Sequence, residues 1–282
     1  MKRPVAVEPN GSPKDNIIAL PASRRRYVSI SGGKGGVGKS TLAVGLSAHY
    51  ARQGARTVLV DGDFGMADLN LLLGLAPDRS VLEVMNGTRV DSCLVEAHGL
   101  YLLPGLNGSF SVANANEDMQ QAVLLALDHL TKAFDTVVVD TPAGIDVRNI
   151  EITAAADEII VVATPEPVSL ADAYACLKIL KKYANRDRVF LIPNAVSSEA
   201  QANELTTQLT NLVEHFLDIE LVALPYVPRD PAVPQAASCG VPLTIARPDA
   251  PASRAIARLA RSLDGHAFLR SSPSKSNQET TR

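Results

Sequence analysis

Short apolar runs, rich in β-branched residues, recur along the middle of the chain at 27–31, 56–61, 100–103, 136–140, 158–163, 188–192 and 220–224. Between them, apolar residues three and four apart mark longer stretches at 40–53, 117–133, 147–156, 169–184, 199–216 and 252–264. The short runs read as strands buried on both faces and the long stretches as helices packed by one face. Their alternation predicts an α/β fold with a doubly wound, mostly parallel sheet flanked by helices. There is no internal repeat.

The pattern stops at both ends. Residues 1–26, with Pro4, Pro9, Gly11, Pro13, Pro21 and the triplet Arg24, Arg25 and Arg26, predict a flexible basic leader. Residues 265–282 predict a disordered polar tail, and 27–264 hold a single domain. At 282 residues and 46% hydrophobic content, the chain can bury a full α/β core.

Charge changes the picture more than composition does. Six basic and two acidic side chains fall in 1–26, and seven and three in 247–282. Of 27 basic and 30 acidic residues, 14 and 25 remain for 27–246, a net charge of −11 there. So acidic a body repels a phosphate backbone and disfavours broad DNA binding. The start of the chain has no apolar signal core and no stretch reaches transmembrane length, so the expected place is the cytoplasm. Cys93, Cys176 and Cys239 are isolated, which excludes a Cys-x-x-Cys metal or cluster site and a disulfide framework. A metal-cluster carrier on this fold is thereby disfavoured, and no second-substrate motif suggests a metabolic kinase.

Chemistry concentrates after the first strand. The run Gly32, Gly33, Lys34, Gly35, Gly36, Val37, Gly38, Lys39, Ser40, Thr41 satisfies G-x-x-x-x-G-K-[ST] between a strand and a helix. Such glycines let backbone N–H groups curl around phosphates, while the lysine and the hydroxyl reach phosphate oxygens and Mg²⁺. The helix that follows aims its N-terminal dipole at the same place. A second lysine, Lys34, precedes the usual one. Beyond the carboxyl ends of later strands stand Asp61, Asp63 and Asp140, where open α/β sheets gather functional groups. Asp140 closes an apolar run and is placed to hold a Mg²⁺-bound water beside Ser40. Asp61 and Asp63, two apart, face one side of an extended segment, one suited to the metal and the other to an attacking water.

Together these residues resemble the deviant Walker A ATPases of the MinD/ParA group over most of 27–264. Lys-Gly-Gly-x-Gly-Lys-[Ser/Thr] is specific to that group, residues 60–70 look like its first switch, and 139–145 like its Walker B segment and second switch. The run 157–167 followed by Asp172, Ala173 and Tyr174 looks closest to MinD and to the FlhG branch, also called FleN or YlxH, which regulates flagellar number.

The resemblance implies an ATP hydrolase that acts as a slow, Mg²⁺-dependent switch. ATP drives a face-to-face homodimer in which Lys34 of each protomer reaches phosphates bound by the other. Lys39 holds β- and γ-phosphates, Ser40 ligates Mg²⁺ with Asp61 and Asp140 in support, and Asp63 orients the water. Residues 33–41 wrap the phosphates, and Asn194 reads adenine. The implied role is the placing or counting of a cellular structure, foremost the flagellum; the alternatives are ParA-type partition of DNA or cargo and MinD-type division-site regulation. An FlhF-like GTPase or another activating protein is the implied partner, although the leader lacks the Asp-Gln-Ala motif that FlhG relatives use on FlhF. Weak contact with the inner membrane face or a cell pole is also implied. The nearest candidate membrane helix, 253–263, reads better as a last helix docked on the sheet, with Ile256, Leu259 and Leu263 on one face.

Overall fold

The computed structural model describes residues 25–63, 67–105, 117–142, 144 and 147–271. Most of the leader and the end of the tail, 1–24 and 272–282, lie outside the described residues. In chain order the first half comprises β1 (Arg26–Ser31), α1 (Lys39–Arg52), β2 (Thr57–Asp61), α2 (Leu69–Leu72), α3 (Val81–Met85), β3 (Val95–Ala97), β4 (Leu100–Leu103), α4 (Glu117–Ala133) and β5 (Thr136–Asp140). The second comprises α5 (Val147–Ala154), β6 (Glu158–Ala163), α6 (Pro167–Ala184), β7 (Arg188–Val196), α7 (Glu199–Phe216), β8 (Glu220–Ala223), β9 (Val227–Pro228), α8 (Ala232–Ser238), α9 (Leu243–Ala246) and α10 (Pro251–Ser271).

The strands form one sheet in the order β3-β4-β2-β5-β1-β6-β7-β8, with β9 added to β7. Every pairing is parallel except β3 with β4. This is the doubly wound, mostly parallel sheet that the sequence predicts. β1 lies where the strand order reverses, with β5, β2 and β4 to one side and β6 and β7 to the other, the usual place for a ligand site in such a sheet.

Because a strand's side chains alternate between faces, each apolar run feeds two cores. Val28, Ile30, Leu59, Val138, Ile160 and Val162 pack on the side of α1 and α10. Val58, Val60, Val137, Val139, Ile159 and Val161 pack on the side of α4 to α7. On the first side α10 lies against α1, and Ala252, Ala255, Ile256, Leu259, Ala260 and Leu263 are fully buried or nearly so. The apolar face that could have met lipid is therefore committed to the core. Among the described residues no helix is long and apolar enough to cross a membrane.

Two boundaries differ from the sequence expectation. Arg26 opens β1 rather than closing the leader, because its guanidinium is held by the Tyr50 hydroxyl at 2.7 Å and by the carboxylates of Asp264 and Glu158. The last helix runs past 264 to Ser271, although composition there is polar; His266 packs its ring on Phe190, with centroids 5.3 Å apart.

Candidate functional site

The loop between β1 and α1 is shaped by what surrounds it. A β-carbon on Gly33 would lie 2.0 Å from the Asp172 carbonyl oxygen of α6, a separation no side chain survives. Gly38 caps α1 with φ of 95°, in the left-handed region, and a β-carbon there would fall 2.3 Å from Asn194 Nδ2. The loop thus threads between α6 and the end of β7 with backbone alone at its closest approaches. Its shape leaves N–H groups of the loop and of the first turn of α1 available to an anion.

Two lysines serve this loop from opposite sides. Lys39 is buried, with its ammonium 3.5 Å from the Lys34 carbonyl oxygen. Lys34 points outward and donates to Glu166 Oε2 at 3.0 Å; its side chain is 38% exposed and that of Glu166 60%. A solvated pair of this kind is worth about 0–1 kcal/mol, so it yields readily to a stronger anion.

The strand register assembles the carboxylates. Asp61 and Asp140 end β2 and β5 as directly paired neighbours, and Ile30, near the end of β1, pairs with Asp140 from the other side. Asp61 accepts from the Asp63 N–H at 3.0 Å and the Leu69 N–H at 3.4 Å, so both of these backbone groups lie against its carboxylate. Asp63 is half-buried beside this turn. Ser40 stands in the first turn of α1, and its hydroxyl pulls against the upward shifts of Asp140 and Asp68. Asp140 is 4% exposed, and its Oδ1 has no hydrogen-bond partner among the described residues.

Crowding of like charges away from water raises these acids. Burial pushes Asp61 up to about 8, with the neighbouring Asp140 charge adding to it. Burial likewise pushes Asp140 up to about 7, against the opposing pull of the Ser40 hydroxyl and Lys39. Asp68 is raised by burial too, with Asp63 adding to the shift.

Among the described residues no three acidic, histidine or cysteine side chains form a ready-made cation cage. The donor set fits a Mg²⁺ ion that keeps waters and takes ligand oxygens, with one hydroxyl and a buried carboxylate oxygen awaiting a partner.

Beside the loop, a cavity of about 210 Å³ is lined by Gly38, Thr41, Asn194, Pro228, Val233 and Ile256, among others. Asn194 stands at a bulge in β7, where Ala195 takes φ of 54°, and its amide donates to the Val37 carbonyl at 2.7 Å. Lys34, Lys39, Ser40 and Thr41 lie on the loop and the start of α1, Asn194 bonds the loop, and Asp61, Asp63 and Asp140 gather at the neighbouring ends of β2 and β5. Glu166 joins this constellation through its bond to Lys34 and was not singled out by sequence reasoning. The cysteines do not gather: Cys93 and Cys176 are buried in the core and Cys239 is exposed.

Residues 23–264 match the profile of the ParA family, described as "NUBPL iron-transfer P-loop NTPase". The chain is a ParA-family P-loop NTPase. Among relatives of this ParA-family chain, the antiactivator FleN of Pseudomonas aeruginosa is 31% identical over 241 residues, covering 85% of this chain and 86% of FleN. The flagellum site-determining protein YlxH of Helicobacter pylori is 31% identical over 199 residues, covering 67% of this chain and 65% of YlxH. The septum site-determining protein MinD of Pyrococcus horikoshii, solved in complex with Mg-ADP, shares the fold with a TM-score of 0.71 at 23% identity, covering 88% of this chain and 99% of that one. Both the group and the FleN/YlxH likeness match the sequence resemblance.

Proposed function

We propose that this P-loop NTPase is a slow, Mg²⁺-dependent ATP hydrolase that dimerises on ATP and sets the number or placement of flagella. The observation that carries the switch reading is the position of Lys34. It sits on the same loop as Lys39 yet reaches outward, into a weak exposed pair with Glu166. A cation so placed is available to phosphates held by a second copy, and two lysines per triphosphate relieve much of its repulsion. The likeness to FleN and YlxH over most of the domain supports the flagellar role.

In this reading residues 33–41 cradle the phosphates, with Lys39 on the β/γ oxygens and Thr41 next to them. Ser40 is the protein's hydroxyl ligand to Mg²⁺, and Asp61 and Asp140 hold waters around it; the ion, when bound, neutralises charge on the transferring phosphoryl group. Asp63 orients the attacking water. Asn194 borders the cavity suited to the base, and its remaining amide donor and oxygen are available to a base edge. The iron transfer in the name of the family profile is not carried over to this chain, because an iron–sulfur cluster is held by converging thiolates and Cys93, Cys176 and Cys239 do not gather.

Light scattering of Asp63→Ala with ATP and Mg²⁺ tests the switch. The expected result is a stable dimer that Lys34→Ala does not form; a monomer under all conditions refutes it. Adding anionic liposomes or duplex DNA separates the FlhG-like reading from ParA-like partition. In cells, loss of the chain is expected to change the count or position of flagella seen by electron microscopy, and unchanged flagella would sink that role.

A further inference from the structure

The cavity beside the phosphate loop has walls from three separate parts of the chain. Asn194 of β7 and Pro228 of β9 form one, Val233 and Pro234 of α8 a second, and Ala252 and Ile256 of α10 a third. One side chain joins them. Asp230 follows β9, whose Val227 pairs with Asn194 and whose next residue, Arg229, donates its N–H to the Val196 carbonyl at 2.9 Å. From this anchored end of the strand wall, Asp230 Oδ1 accepts from the Ala232 N–H at the start of α8 at 2.9 Å. Its Oδ2 accepts from the Ala252 N–H in the first turn of α10 at 3.0 Å, 22 residues further along the chain. The Asp230 carbonyl takes the Val233 N–H at 3.1 Å as well. Asp230 lines the cavity and is only 8% exposed, and the N-cap residue of α8, Pro231, makes no side-chain cap of its own.

A carboxylate buried beside apolar walls is unfavourable unless its oxygens are satisfied. Both oxygens of Asp230 meet main-chain N–H groups of the kind a helix start leaves without partners, so one residue ties α8 and α10 to the end of the sheet. We propose that Asp230 is a positioning residue that, by capping α8 and α10 at once, sets the width of the cavity between them and so lets the base of the bound nucleotide contribute to affinity. The proposal rests on the preceding reading of this cavity as the place of the base. Asp230 acts through the two helix starts and not on the phosphates, since the closest approaches of the loop are to Asn194 and to the main chain of α6. Walls held in place before the ligand arrives spare binding the cost of ordering them, which is how a residue remote from the phosphates raises affinity.

The test titrates ADP and inorganic pyrophosphate, each with Mg²⁺, into the full-length protein by calorimetry. Pyrophosphate engages the loop alone, whereas ADP also needs the cavity. Asp230→Asn keeps the side-chain volume but replaces one acceptor oxygen by a donor, so one of the two helix starts is left facing an N–H. The expected result is a split: the variant binds ADP about tenfold more weakly than wild type, the scale of one lost hydrogen bond to a charged group, and pyrophosphate as wild type does. Equal weakening of both ligands, the mark of a merely structural residue, overturns the assignment, and so does an unchanged affinity for ADP. Hydrogen exchange on the wild type reads the same role without a substitution: ADP slows exchange at the Ala232 and Ala252 amides and pyrophosphate does not. Equal slowing by both ligands, or none by ADP, overturns it. A wild type that binds ADP no more tightly than pyrophosphate removes the reading of the cavity as a base site and this assignment with it, so the wild-type arm tells the two failures apart.

Discussion

Asn194 holds the phosphate loop from beneath, through one amide N–H on the Val37 carbonyl, and Gly38 leaves the space its nitrogen fills. Asn194→Ala is expected to cost about 1–2 kcal/mol of stability, the size of a hydrogen bond removed from a partly buried partner, and to weaken nucleotide binding, read by calorimetry. Asp61 and Asp140 make a pH prediction of definite sign. Folding raises both from near 4 to about 8 and about 7, so the folded chain binds more protons than the unfolded one in that window. Stability of the metal-free protein therefore falls as pH rises from about 4 to about 8, with urea midpoints as the measure. Asp140→Asn is expected to flatten the slope, and a slope unchanged by that variant would refute the attribution. At this scale the motif glycines, Lys39, Ser40 and the strand-end aspartates are legible in sequence, since each stands next to an element boundary. Glu166 is not, because its meaning comes from the fold that brings it to Lys34, which has no local pattern.

The packing of α10 on α1 turns on a missing side chain. Gly45 lies inside α1, and a β-carbon there would sit 2.7 Å from Ile256 Cδ1. Ile256→Ala is expected to cost about 2–5 kcal/mol, as for other fully buried aliphatic truncations. Gly45→Ala destabilises alone, and its combination with Ile256→Val is expected to lose less than the two separately, a coupling that a double-mutant cycle in urea measures. β4, β5, β6, α4 and α7 show in the sequence at their observed bounds, each an apolar run or helical period bounded by polar residues. Others do not. β3 is three residues and joins β4 through His98 and Gly99, both at positive φ, a hairpin turn without the usual Asn-Gly or Asp-Gly signal. α2 and α9 are single turns, too brief for a period to register. α3 did carry a signal, the capping box of Ser80 and Glu83, which lies in a stretch whose hydrophobic pattern is weak.

At the scale of the whole molecule, the phosphate loop sits on the seam between two apolar bodies. On one side it continues into α1 and so into α10; on the other its Gly33 lies on the main chain of α6. Nucleotide binding is therefore expected to slow hydrogen exchange in the first turns of both α1 and α6, and protection confined to α1 would show that the two sides are not coupled. The two cores share the sheet but no side chain, since each strand residue belongs to one face or the other. A substitution that refits the outer surface of α4 to α7 for a new partner has no need to repack α1 and α10. The chain is thus modular across its thickness rather than along its length, and lineages can remodel one layer while inheriting the other intact.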